Sequence, residues 1–166
     1  MEPRPASASR SELIRWMGIG DANLAGLVHG GTVMKLCDEA AAIAAIRHCG
    51  LRVVTAGVDR LTFVEPVHVG ELLACSATVN AAWRTSMEIG VRVEAENPHS
   101  GERRHTSTAY VTMVALDEAG KPTVVPGVIA ECDDEKRRQR EAEVRRRNRL
   151  AEREEILGGR RDQDVG

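Results

Sequence analysis

The sequence predicts an α+β fold in which a curved antiparallel β-sheet wraps one long central helix. Three observations lead there. The stretch Thr32–His48 runs without proline or glycine and is rich in alanine, so its helix propensity is high. Four strand-like segments follow it, the first rich in β-branched residues, each about a dozen residues long against a usual five or six. Nothing between those segments is helical, so the strands are expected to join as an antiparallel meander. Long strands and a single apolar helix fit together when the sheet curls around the helix.

The helix sits in "DANLAGLVHGGTVMKLCDEAAAIAAIRHCG". A polar loop carrying Asn23 precedes it, Gly30 and Gly31 open it, and Gly50 after His48-Cys49 supplies a left-handed stop. Thr32–His48 alone spans roughly 25 Å at the helical rise. Asp38 is the anomaly. Its helical neighbours at i−4, i+3 and i+4 are Met34, Ala41 and Ala42, while Lys35 and Glu39 form a separate charged stripe. A buried, unpaired carboxylate costs several kcal/mol or neutralises by a raised pKa. Asp38 therefore needs either a hydrogen-bonding partner or a chemical purpose, and the pattern leaves both open.

The strands follow in order. "RVVTAGVDRLTFV" runs up to Glu65-Pro66, and "ELLACSATVNAAW" starts after Gly70. In "TSMEIGVRVEAEN", Met87, Ile89, Val91, Val93 and Ala95 share one face and Glu88, Arg92, Glu94 and Glu96 the other. That alternation predicts a half-buried strand with one wet face. "NPHSGE" is a turn by composition, and "RHTSTAYVTMVAL" is the next strand, closed by "DEAGKP". A short strand from "IRWMGI" is expected at an edge.

Composition divides the chain into a flexible Pro/Ser-rich N-terminus (1–12), a patterned domain (13–128) and a charged, helical C-terminal tail (129–166). The tail has too few apolar residues to bury a full face. Between Ile129 and Leu157 it carries nine acidic and nine basic side chains, with Glu141–Arg145 and Glu143–Arg147 spaced for i,i+4 support. It reads as a surface helix, solvated or lying against a neighbouring subunit. The other reading uses its basic part, Lys136–Arg149, to hold a phosphate-bearing partner.

Several function classes fall away. With 166 residues the chain suits one domain, and its net charge of −2 creates no field to gather nucleic acid. Aromatics at 2% are too few for a stacking surface. There is no run of eighteen apolar residues to span a membrane and no basic-then-apolar leader, so a cytoplasmic protein is expected. Cys37, Cys49, Cys75 and Cys132 form no CxxC pair and read as reduced thiols. The histidines are scattered without metal-ligand spacing. Neither GxSxG nor GxxxxGK[ST] occurs, which leaves serine hydrolysis and nucleotide hydrolysis without support. Hydride transfer likewise has none.

The loop "NLAGLVHGG" is a candidate for chemistry. Glycines at a helix start let backbone N–H groups approach a ligand, and the helix dipole favours negative charge there. Such a terminus can hold a developing oxyanion. Alternatively, Gly26, Gly30 and Gly31 only permit a tight turn, and His29 is either an acid–base group or a turn residue.

Taken together, "DANLAGLVHGGTVMKLCDEAAAIAAIRHCG" and "VVTAGVDRLTFVEPVHVGELL" resemble the hotdog-fold acyl-CoA thioesterases, specifically the cytosolic brain-type acyl-CoA hydrolases. The resemblance covers roughly Ile14–Val128 and rests on DAN…G, VHGG, the helical DE, RHC and F…P…GE recurring in order. It implies hydrolysis of fatty acyl-CoA to free acid and CoA with no metal or cofactor. It also implies a homodimer at least, with dimers grouping into a trimer of dimers; charge, aromatic content and the lack of an apolar run add the expectation of no nucleic acid or membrane partner. Asn23 and Asp38 would be the catalytic pair, contributed by different hotdog units. Asp38 would act as general base or as nucleophile, and Gly30 and Gly31 would offer oxyanion N–H groups. Animal relatives hold two units in tandem; this chain holds one unit with both residues, so a homodimer would own two equivalent sites. Arg60, Arg84, Thr85 and Ser86 are weaker candidates for CoA. The competing readings are a non-catalytic acyl-CoA-binding sensor or scaffold and a dehydratase that would use His29.

Overall fold

A computed structural model describes residues 1–163. The elements run β1 (Arg4–Pro5), a 3₁₀ turn (Ala6–Ser9), β2 (Ser11–Trp16), a second 3₁₀ turn (Ile19–Asp21) and α1 (Gly30–Cys49). Then come β3 (Arg52–Phe63), β4 (Leu72–Ala82), β5 (Ser86–Glu96), β6 (Arg103–Leu116), β7 (Val128–Ile129) and α2 (Asp133–Gln163). Five strands form one antiparallel sheet in the order β2-β4-β5-β6-β3, and β1 pairs with β7 in a small parallel bridge. No helix among the described residues is long and apolar enough to cross a membrane.

The central helix is buried because alanine lets it approach the sheet. Val33, Leu36, Cys37, Ala40, Ala41, Ala44, Ala45, His48 and Cys49 are all buried, facing the Met87–Ala95 row of β5 and the Ala109–Ala115 row of β6. Gly50 ends it with φ 70°, donating its N–H to the Ile46 carbonyl. His48 is enclosed at the C-terminal end, 3.0 Å from the Pro126 carbonyl. Burial holds its pKa below the usual histidine value, so it stays neutral in the core. The four cysteines are free thiols.

Three expectations need correction. The simple meander holds for β4-β5-β6, but β3 pairs with β6, and its exit loop carries the chain across to β4 at the far side. Residues 64–71 are long enough to cross, because an extended chain covers about 3.4 Å per residue. Residues 1–12, expected to be flexible, are built into the fold. Ser9 accepts the Val79 N–H at 2.9 Å, Ser11 donates to the Ala40 carbonyl at 3.0 Å, and both are buried. These anchors also start the edge strand at Ser11, earlier than "IRWMGI" suggests. Third, the tail does bury a face.

That face is α2 lying on the outer side of the sheet, held by polar contacts. Arg145 forks onto Glu88 with contacts of 2.7–3.2 Å and stacks over Tyr110 at 3.6 Å. Glu88 is fully buried there, and Asn80 donates to it at 3.1 Å. Arg149 pairs with Asp59, Arg10 with Glu135, and Trp83 donates its indole N–H to Glu143 at 2.8 Å. Residues 164–166 of the tail lie outside the described residues.

Candidate active site

The Asn23 loop is a tight turn whose geometry fixes one amide. Asn23 Oδ1 accepts the N–H groups of Ala25 (2.9 Å) and Leu27 (3.2 Å). Two backbone donors aimed at one atom identify it as the oxygen, so Nδ2 is the group left to donate outward. Gly26 follows at φ 76°, a conformation that favours glycine. Asp21 braces the loop from below, bonded to Arg15 at 2.5 Å and to the Gly18 N–H at 2.9 Å. Its carbonyl accepts the His29 N–H at 2.7 Å.

At the start of α1 the two glycines have different duties. His29 is the N-cap, and its Nδ1 accepts the Gly31 N–H at 2.9 Å. Gly31 is thus committed, which corrects its place as an oxyanion donor. Gly30 is a close-approach residue: a Cβ there would meet the Phe63 ring at 3.3 Å. Its N–H is the one at this terminus without a partner among the described residues. With Nδ1 accepting, His29 carries its proton on Nε2 and is not placed as a base, which weighs against the dehydratase reading.

Asp38 is half-buried on the side of α1 that faces β3. It lines a cavity of about 250 Å³ with Met34, Cys37, Val58, Leu61, Ala109 and Val111. Thr55 of β3 donates its hydroxyl to Asp38 Oδ1 at 2.5 Å, leaving Oδ2 open. Lys35 and Glu39 form their own i,i+4 pair at 3.9 Å, so no cation from that stripe neutralises Asp38. Thr55 can reach the helix because β3 is irregular: its pairing with β6 shifts between Thr55 and Gly57 and again between Val58 and Arg60. Thr55 is the site residue that sequence reasoning missed. Gly57, interrupting a β-branched run, was the available signal of a bulge beside it.

Asn23 lines a second cavity, of about 330 Å³, with Gly30, Val33, Phe63, Pro66 and Val67. Gly30 and Asp38 lie about 12 Å apart along the helix. One chain therefore places Asn23 and Asp38 in separate hollows of the same α1–β3 groove and does not join them. Arg60 faces the opposite side of the sheet, in a cavity beneath α2. Arg84, Thr85 and Ser86 lie at the β4–β5 turn and line neither cavity of the groove. These four are not gathered around the pair.

The wall of the Asn23 cavity is held by Glu71. Arg104 bonds it through two nitrogens at 2.5 and 2.9 Å, and the His68 N–H donates at 2.8 Å. Burial pushes the Glu71 carboxyl up, but Arg104 and the His68 N–H outweigh it and hold the group below the usual glutamate range. A depressed folded pKa contributes stability that is present above the unfolded pKa and lost as pH falls toward the folded one. The melting-temperature gap between wild type and Glu71→Gln should stay constant near pH 7 and shrink as pH falls below the ordinary value of 4.5. Differential scanning fluorimetry from pH 7 to 3 measures this.

Residues 25–102 match the family model described as the thioesterase superfamily. A solved structure described as an apo-hexameric acyl-CoA thioesterase superposes with a TM-score of 0.88 at 38% identity, covering 92% of this chain and 97% of that one. The chain belongs to the thioesterase superfamily. Its fold is the hotdog, a sheet wrapped around α1. The cytosolic acyl coenzyme A thioester hydrolase of Rattus norvegicus is 40% identical over 146 residues, 87% of this chain. The chain spans 38% of that relative's length.

The acyl-CoA hydrolase of Staphylococcus aureus, solved with butyryl coenzyme A and coenzyme A, matches with TM-score 0.87 and 36% identity over 94% of this chain and 95% of that one. Alanine variants of that enzyme have been solved at an asparagine, an aspartate and a threonine, spaced 15 and 17 positions apart. Asn23, Asp38 and Thr55 have the same two spacings.

Proposed function

We propose that this thioesterase-superfamily protein hydrolyses fatty acyl-CoA to the free acid and CoA, at a site assembled between two copies of the chain. The observation that carries the reading is Asp38, a carboxylate set beside Lys35 into the wall of a largely apolar cavity and oriented by Thr55. An apolar pocket beside an activating carboxylate fits an acyl chain ending in a thioester. Asn23 and Asp38 occupy separate hollows in one chain, which supports a partner supplying the missing half of each site. Among the described residues the edge strand β3 pairs on its β6 side alone, with Val54, Val58 and Phe63 exposed on it and Met34 beside it on α1. Such an edge favours pairing with a second copy. The hexameric neighbour supports grouping of these dimers into a trimer of dimers.

In this site Asp38 Oδ2 takes the proton of a water that attacks the carbonyl carbon, or attacks that carbon itself. Asn23 Nδ2 and the Gly30 N–H donate to the carbonyl oxygen as it gains charge. The C–S bond breaks, the proton taken from water passes to the sulfur, and CoA leaves as the thiol; on the nucleophilic route water then cleaves the acyl–Asp38 anhydride, releasing the acid and its proton and restoring the carboxylate. The direct test is thiol release across acetyl- to palmitoyl-CoA. A folded dimer that releases no thiol at any chain length would replace this reading with the acyl-CoA-binding one.

Thr55 is assigned as a positioning residue. Thr55→Val keeps the strand shape but removes the hydroxyl; a hydrogen bond to a charged group contributes about 1.5–3 kcal/mol. The expected result is a fall in kcat of about tenfold or more with KM little changed, while Thr55→Ser retains activity.

A further inference from the structure

The C-terminal helix is longer than the sheet it crosses. Its sheet-facing stripe is Glu135, Arg138, Ala142, Arg145 and Arg149, alternating three and four residues apart as one helical face requires. Along the helix this stripe meets Arg10 ahead of β2, then Glu88 of β5 and Tyr110 of β6, and finally Asp59 of β3. By Arg149 the helix has reached the edge strand. Helical structure nevertheless continues to Gln163. Segment 150–163 therefore extends roughly 20 Å past β3 at the helical rise, about the width of four strands.

The stripe continues as well. Ile156 belongs to it and is 50% exposed, because its own sheet has ended. Val144, Leu150 and Leu157 on the same helix are 44%, 44% and 38% exposed. Beneath the helix at this edge lies a cavity of about 420 Å³ walled by Asp59, Arg60, Tyr110, Val144, Asn148 and Glu152 among others. A merely solvated helix end would account for the charges. It would not account for an apolar residue on the sheet-facing stripe where no sheet remains.

We infer that the overhang of α2 docks on a second copy of the chain, antiparallel to the partner's α2 and across the partner's β3. This rests on the edge-to-edge dimer proposed above, in which a partner sheet begins where the helix leaves its own. An isologous contact pairs each residue with its counterpart about the two-fold axis. The axis passes beside Leu150 and Ala151, the first residues beyond the edge. Glu154 then faces the partner's Arg147, on the flank of the helix that also carries Leu150 and Leu157. The seam is self-complementary: acid meets base on both sides of the axis, with leucine at the centre. The docked helix lays Ile156 on the partner's β3.

The test is a cross-link at the axis. Leu150→Cys is made in a Cys132→Ser background, since Cys132 is the exposed native cysteine. Gln139→Cys in the same background, far from the axis, serves as control. In protein shown to be dimeric by light scattering, copper-phenanthroline oxidation is expected to turn more than half of the Leu150→Cys chains into disulfide-linked dimers and few of the control chains. Glu154→Arg is expected to raise the dimer dissociation constant about tenfold, and Arg147→Glu in the same chain to restore it. A dimer in which Leu150→Cys links no better than the control overturns the docking and leaves the edge-to-edge dimer standing. Linking confined to a hexamer-sized fraction places the contact between dimers and overturns it too. A monomeric wild type removes the edge-to-edge dimer, and the docking with it.

Discussion

Asp38→Asn should lose thioester hydrolysis by about a thousandfold while keeping the wild-type melting temperature, because a positioned acid–base group typically contributes 10²–10⁴ in rate. The amide is nearly isosteric and still accepts the Thr55 hydroxyl, so α1 and β3 have no reason to move. Asn23→Ala should lose activity as well, since it removes the outward Nδ2 donor and, with Oδ1, the brace of its turn. The informative experiment mixes the two inactive variants after co-refolding. A site divided between chains takes Asn23 from one and Asp38 from the other, so half of the sites in each heterodimer are intact. Random pairing should then recover about a quarter of wild-type activity. No recovery from well-mixed, folded heterodimers would mean that each chain builds its site alone. Full activity in Asp38→Asn would remove the carboxylate from the chemistry altogether.

Much of this architecture is written locally in the sequence. The helix is legible because alanine-rich propensity, an opening glycine pair and a left-handed Gly50 agree. The strands are legible as long runs bounded by turn residues, β3 through its β-branched residues and β5 through the alternation from Met87 to Ala95. Asp38 stands out for the opposite reason: it breaks the local rule of an apolar helix face, and such breaks concentrate at working sites. Its pairing with Asn23 came from the resemblance and not from spacing.

What stayed hidden depends on tertiary geometry. No period links Thr55 to Asp38; their contact arises from a bulged register between β3 and β6. Gly31 reads as a free donor until the preceding side chain, His29, is seen to turn back and cap it. The path of β3 to β6 is set by the exit loop and its Glu71–Arg104 clasp, not by strand composition. The tail misleads because a search for apolar stripes is blind to a helix docked through arginine. Its burial uses guanidinium stacking and ion pairs over Tyr110, Trp83 and Glu88.

That polar docking makes Arg145 the surface-helix residue with the largest expected effect on stability. Glu88 has no exposed surface, and its partners are Arg145 and Asn80. Arg145→Ala leaves the carboxylate buried with one neutral donor, and removing one member of a buried pair costs about 3–5 kcal/mol. For a chain of this size that is a fall of about 10 °C in melting temperature. Arg145→Lys should rescue little: a single ammonium cannot reproduce the fork onto both oxygens or the stack on Tyr110. The double variant Arg145→Met/Glu88→Met should recover most of the loss, because it removes the stranded charge while keeping the volume between helix and sheet. A double variant as unstable as Arg145→Ala would mean that the ion pair itself, and not the penalty of breaking it, holds α2 in place. Thermal melts of the four proteins at one pH and salt concentration decide between these.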